Sequence, residues 1–132
     1  MLRKVQRTWH TRWDADRACC RAFPKLAGVS YGQRLDFISK YCARFTAYDL
    51  ERDCKNKFDS NAIKVLATKH RLEIGWIPKK LAKQLAPLMD AGREFKVQFI
   101  YKVVDEETGR ARQLIIKIWE ADVIERAKAA AN

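Results

Sequence analysis

The 132 residues predict a mainly β domain with two or three helices, its strands antiparallel and partly closed into a barrel. Three observations point there. Apolar residues alternate over short stretches, most clearly from Phe95 to Val104. Turn-forming residues separate those stretches, as in residues 53–60 and 105–110. The order of strand, helix, strands, helix and two strands lacks the regular strand–helix alternation of a doubly wound sheet. At this length one domain is expected, and a hydrophobic content of 48% suffices for its core.

The elements follow from local pattern. Phe23 to Tyr31 reads as a strand with Leu26, Val29 and Tyr31 apolar. Gly28 inside it marks a bulge or a close backbone approach. Leu35, Ile38 and Cys42 recur at helical spacing, predicting a helix over 33–42. Phe45 to Arg52 alternates as a second strand, with Phe45, Ala47 and Leu50 on one side. The turn at 53–60 leads into a third strand, 61–67, built on Ile63 and Val65. A fourth, 72–77, makes a hairpin with it.

Pro78 suits the opening of a helix, where its missing N–H costs little. Leu81, Leu85, Leu88 and Met89 share one face of that helix. Pro87 predicts a kink or a restart, and Gly92 the stop. Along 95–104 the residues Phe95, Val97, Phe99, Tyr101 and Val103 occupy one side, and 113–119 returns as the partner strand. Residues 1–22 form a basic N-terminal extension, 23–120 the domain, and 121–132 a short C-terminal helix or tail.

Net charge is +11, which favours a polyanionic partner because each phosphate contact releases condensed counterions. The excess is shared: +5 over residues 1–25 and +6 over 26–120. In the extension Trp9 and Trp13 lie four apart, on one side if that segment is helical. Packing on the domain is the preferred reading, and stacking on nucleic-acid bases the other. Cys19, Cys20, Cys42 and Cys54 lack CxxC spacing, and His10 and His70 lack zinc-finger spacing, so no metal or cofactor is expected. Reduced thiols, with no apolar run long enough to span a bilayer and no signal-peptide core, predict an intracellular protein.

Two motifs stand in sequence. The first is Asn56-x-Phe58-Asp59-x-Asn61-Ala62-Ile63-x-Val65, preceded by Arg52-Asp53. The second is Ile74-Gly75-Trp76-Ile77-Pro78, followed by Leu81-Ala82-x-x-Leu85-Ala86-Pro87-Leu88-Met89. In this order the chain resembles the HIRAN domain family over roughly residues 24–119, with Gly28-Val29-Ser30-Tyr31 similar to the family's first strand. The resemblance implies a modified OB-like barrel that binds nucleic acid. It further implies capture of a free 3′ end of single-stranded DNA, as in members that accompany fork-remodelling translocases in DNA repair.

Carried over by position, the resemblance implies that Phe58 and Asp59 meet the terminal nucleotides. An aromatic face stacks any base. A carboxylate repels phosphate, so Asp59 near DNA fits only as an acceptor from a hydroxyl such as a terminal 3′-OH. The structural alternatives are a core plug for Phe58 and a turn cap for Asp59, bonded to the N–H of Asn61. Where end-binding members carry Arg-Tyr-Tyr, this chain has Ser30-Tyr31-Gly32 and keeps one aromatic. Arg34 or the basic extension would then supply the missing cation. Lys55, Lys57, Lys64, Lys79 and Lys80 are candidates to follow phosphates, Lys79 and Lys80 at a helix start with free N–H groups. Together with Tyr31, Arg34, Phe58 and Asp59 they make up the expected binding set. Trp76 and Trp119 are read as core or rim packing.

No nucleophile–base–orienter set and no G-x-x-x-x-G-K-[ST] phosphate loop occurs, so an enzyme is not expected. Asp49, Glu51 and Asp53 share one strand face and are expected to pair with cations across the sheet. The partner is single-stranded DNA or a DNA end, with RNA an alternative. A different class of function is an adaptor that docks a DNA-processing protein.

Overall fold

The computed structural model describes residues 12–20 and 23–121. Expectations that fall on residues 1–11, with Trp9, on 21–22 and on the C-terminal tail at 122–132 lie outside the described residues. The strands are β1 (Trp13–Asp14), β2 (Cys19–Cys20), β3 (Tyr48–Arg52), β4 (Ile63–Ala67), β5 (Leu72–Trp76), β6 (Phe95–Val104) and β7 (Ala111–Glu120); the helices are α1 (Arg34–Tyr41) and α2 (Lys79–Asp90).

Among the described residues the strands form two antiparallel sheets, ordered β1-β2-β7-β6 and β3-β4-β5. The segment 24–27 joins them. Leu26 N donates to Leu114 O and Ile116 N to Pro24 O on one side; Ala27 and Trp76 exchange both backbone bonds on the other. β3 and β6 come close at the far edges, but no ladder links them among the described residues. The barrel is therefore open at one seam.

The core is the alternating face of each sheet. Ile63, Val65, Ile74, Leu114, Ile116 and Ile118 are sealed against Ile38 of α1 and against Leu81 and Leu85 of α2. Burying each such side chain stabilises the fold by about 1.5–3 kcal/mol before entropic losses. Gly75 matters to the join: a Cβ there would lie 2.8 Å from the Ala27 carbonyl oxygen, so only glycine lets segment 24–27 dock on β5.

Four expectations are corrected. The first predicted strand shrinks to isolated bridges at Lys25 and Ala27, because Gly28 turns left-handed at φ +66° and a turn follows. The second begins at Tyr48 rather than Phe45. Thr46 Oγ1 donates to Tyr41 O and accepts from Ala43 N, which folds 43–46 into a turn and leaves Phe45 exposed. Pro87 neither breaks nor restarts α2. It sits on the exposed side near the helix end, where Arg93 N bonds Leu88 O and Gly92 N bonds Met89 O in a Schellman closure. In β6 the alternation changes face at a bulge between Phe99 and Tyr101. Phe95, Val97 and Phe99 pack on the core, but Tyr101 and Val103 face solvent.

Trp13 packs inward: its ring meets Phe95 edge-on at 5.1 Å and its backbone N–H donates to Gln84 Oε1 at 2.8 Å. The acidic row behaves as expected in part. Arg71 pairs with Asp49 at 3.7 Å and Glu51 at 3.4 Å, while Asp53 Oδ2 accepts from Asn56 Nδ2.

Candidate nucleic-acid interface

The loop between β3 and β4 carries the first motif, and its shape comes from side chains that replace missing ladder bonds. Asp53 N bonds Ala62 O across its base. Asn56 Oδ1 accepts from Phe58 N at 2.9 Å and Asp59 N at 3.0 Å, and Asp59 Oδ1 accepts from Asn61 N at 2.9 Å. Arg52 clamps the loop from outside. It donates to Ala62 O at 2.8 Å, Ser60 O at 2.9 Å and Asp90 Oδ1 at 2.9 Å, tying loop to α2. The hydrogen bond that Arg52 donates to Asp90 holds the guanidinium above its ordinary pKa, and the same bond holds the Asp90 carboxyl below its own.

With the N–H groups of Phe58, Asp59 and Asn61 bonded within the loop, the Phe58 ring stands outside it and is 94% exposed. It is not a core plug. The turn-capping role of Asp59 is present through Oδ1; among the described residues no protein donor reaches Oδ2.

Opposite this loop stands the turn after Gly28. Arg34 Nη1 donates to Gly28 O at 2.8 Å and Nη2 approaches Glu73 Oε2 at 3.4 Å. Its guanidinium lies 5.9 Å from the Tyr31 ring and 5.8 Å from the Trp76 ring, so it is held between two aromatics. Gly28 is what allows this. A Cβ there would come within 2.8 Å of Trp76 Cδ1 and 3.2 Å of Arg34 Nη1.

An open cavity of about 460 Å³ separates the two walls. Tyr31, Arg34, Phe58, Asp59 and Lys79 of the expected set line it, joined by Asn56, Ala27, Ala62, Trp76 and Ile77. Lys64 stands at its flank, 5.9 Å from the Trp76 ring, and bonds Glu73 at 3.0 Å; that bond raises the lysine pKa. Lys55, Lys57 and Lys80 are exposed and do not contribute to the wall.

Trp76, read from the sequence as core or rim packing, is half-buried against Gly28 and Arg34 and forms part of the cavity wall. Asn56 was legible only as part of the motif.

A cluster of three or more His, Cys, Asp or Glu side chains able to hold a metal is not found among the described residues. No described helix is long and apolar enough to cross a membrane.

Fold and wall together define a class: a small, partly open antiparallel barrel with an aromatic and cationic hollow on its side. The HIRAN domain profile matches residues 22–119, and the chain belongs to that family. HIRAN domains are, as a class, nucleic-acid-binding modules. Among solved structures the chain is similar to the HIRAN domain of human HLTF, with 22% identity and a TM-score of 0.54 over 80% of this chain and 79% of that one. It is similar also to a protein from Lactobacillus plantarum, with 20% identity and a TM-score of 0.54 over 74% of this chain and 91% of that one. These likenesses establish the OB-like fold. No curated protein matches.

Proposed function

We propose that the cavity seats the unpaired end of single-stranded DNA with its free 3′-hydroxyl toward Asp59, and that the chain binds without catalysing a reaction. The carrying observation is the wall itself. Tyr31 and Phe58 are 73% and 94% exposed beside one open hollow, an arrangement that costs hydration and gains from a stacked base. Arg34 and Lys79 give that hollow a cationic rim.

Asp59 narrows the ligand. A carboxylate against an internal phosphodiester is repulsive, whereas a terminal hydroxyl donates to it. With Oδ1 taken by the Asn61 N–H, Oδ2 is the acceptor available to a ligand. Arg34 replaces the cation that Ser30 does not supply.

Fluorescence anisotropy on oligonucleotides ending in 3′-hydroxyl or 3′-phosphate tests this. Tighter binding of the hydroxyl end is expected. Affinity should also fall with salt, with a log–log slope of about −0.7 per phosphate contacted. Equal affinities reject end capture. Absence of oligonucleotide binding, together with a protein partner that survives nuclease treatment, replaces the proposal with an adaptor role. A preference for RNA of the same sequence replaces DNA as the ligand.

A further inference from the structure

A second hollow, of about 530 Å³, lies at the other end of α1. Its wall includes Lys40, Tyr41, Phe45, Lys69 and His70. Phe45 is 92% exposed, with the Arg44 guanidinium 5.6 Å from its ring. The Tyr41 ring lies 4.5 Å from that of His70, tilted by 46°, and Lys40 Nζ stands 5.2 Å from the Tyr41 ring. No carboxylate contributes to this wall among the described residues. Lys40, Arg44 and Lys69 take part in no ion pair among the described residues, unlike Arg34, Lys64 and Arg71. The patch therefore holds unneutralised positive charge beside exposed rings.

The two hollows are connected by the fold. α1 runs from Arg34 in the first to Tyr41 in the second, about 10 Å at 1.5 Å per residue. The β4–β5 hairpin runs alongside, from Trp76 at the first to His70 near its tip at the second. The acidic groups along this path are already held. Glu73 bonds Arg34 and Lys64, and Asp36 pairs with Arg110. A strand with one phosphate per about 3.4 Å covers that distance in roughly three nucleotides.

We propose that this second hollow is a distal contact for the same single strand, with Phe45 as a stacking platform and Lys40, Arg44 and Lys69 on the phosphates. The inference rests on the cavity reading above, because it takes the first hollow as the place where the strand ends. It assigns the chain a footprint of several nucleotides rather than one terminal residue. An exposed ring among cations accepts any base, so the distal contact carries no sequence preference.

The test compares a 3′-hydroxyl oligo-dT of two residues, too short to reach the second hollow, with one of twelve, by anisotropy on the full chain. Phe45→Ala should weaken the twelve-residue strand by about fivefold or more and leave the two-residue strand unchanged. Phe45→Tyr should restore the long-strand affinity, which separates loss of the ring from misfolding. Replacing Lys40, Arg44 and Lys69 with Gln should flatten the salt slope of the long strand by about 2 units, from about 0.7 per lost phosphate contact. Unchanged long-strand affinity and slope in these variants, while Phe58→Ala still weakens both strands, overturns the distal contact alone. Failure of the unsubstituted chain to bind either strand overturns the cavity reading, and the distal contact with it.

Discussion

Gly28→Ala, set beside Gly32→Ala, separates backbone strain from shaping of the cavity. Both glycines have positive φ, +66° and +55°, where an L side chain costs about 1–2 kcal/mol. At Gly32 nothing lies within 4 Å of a new methyl, so that strain is the whole effect. At Gly28 the methyl would sit 2.8 Å from Trp76 Cδ1 and 3.2 Å from Arg34 Nη1, inside contact distance. Relief requires moving Arg34 off Gly28 O, a bond to a charged donor worth about 1.5–3 kcal/mol. The expected losses in urea unfolding are therefore about 1–2 kcal/mol for Gly32→Ala and about 2.5–5 kcal/mol for Gly28→Ala. Oligonucleotide affinity should fall about tenfold for Gly28→Ala, because the Arg34–Trp76 side of the wall is displaced, and stay unchanged for Gly32→Ala. Equal stability losses with equal affinities in the two variants would refute the claim that Gly28 exists to admit these side chains.

Other outcomes follow from the same geometry. Phe58→Ala should weaken single-stranded DNA binding by about 1–3 kcal/mol with no change in the urea midpoint, since the ring is 94% exposed; a loss of stability would show that the ring packs. Arg52→Met removes the clamp on the motif loop, and should speed proteolysis within residues 53–62 and lower oligonucleotide affinity; an unchanged cleavage pattern in limited proteolysis would refute it. Asp90 and Asp105 are held below the ordinary Asp pKa, Asp90 by the Arg52 hydrogen bond and Asp105 by the N–H groups of Thr108 and Glu107. A depressed folded-state pKa stabilises above the unfolded value, about 3.9, and that contribution disappears as pH falls below it. Urea midpoints should therefore drop from pH 5 to pH 3, less steeply in Asp105→Asn, and an equal slope would exclude that carboxylate. Burial, reinforced by the neighbouring Cys19, pushes the Cys20 thiol up to about 12, so iodoacetamide near pH 8 should modify exposed Cys54 well before Cys20. Mass spectrometry of the alkylated sites decides it.

Much of the fold was legible residue by residue. The helix at Leu35, Ile38 and Cys42, the β4–β5 hairpin and the long β6–β7 pair all obey periodicities set by near neighbours in the chain. The Asx turns of Asn56 and Asp59 were legible for the same reason, since their acceptors and donors lie two or three residues apart. The HIRAN motifs placed Phe58 and Asp59 in one loop. Where periodicity misled, a side-chain hydrogen bond or a bulge had overruled it. Thr46 bonded back to Tyr41 and cut β3 short, and a bulge turned Tyr101 outward.

Local pattern thus determined which stretches would be strand, helix or turn, because those choices depend on backbone bonds and side-chain spacing within a few residues. The cavity was decided only by the tertiary structure. Its wall draws on residues 27–34, 56–62 and 76–79, which meet because Ala27 docks on Trp76 where Gly75 leaves room. Whether Trp76 faces a ligand or the core, and which lysines stand near it, depends on that long-range docking, and contacts across such separations leave no periodic trace in the chain.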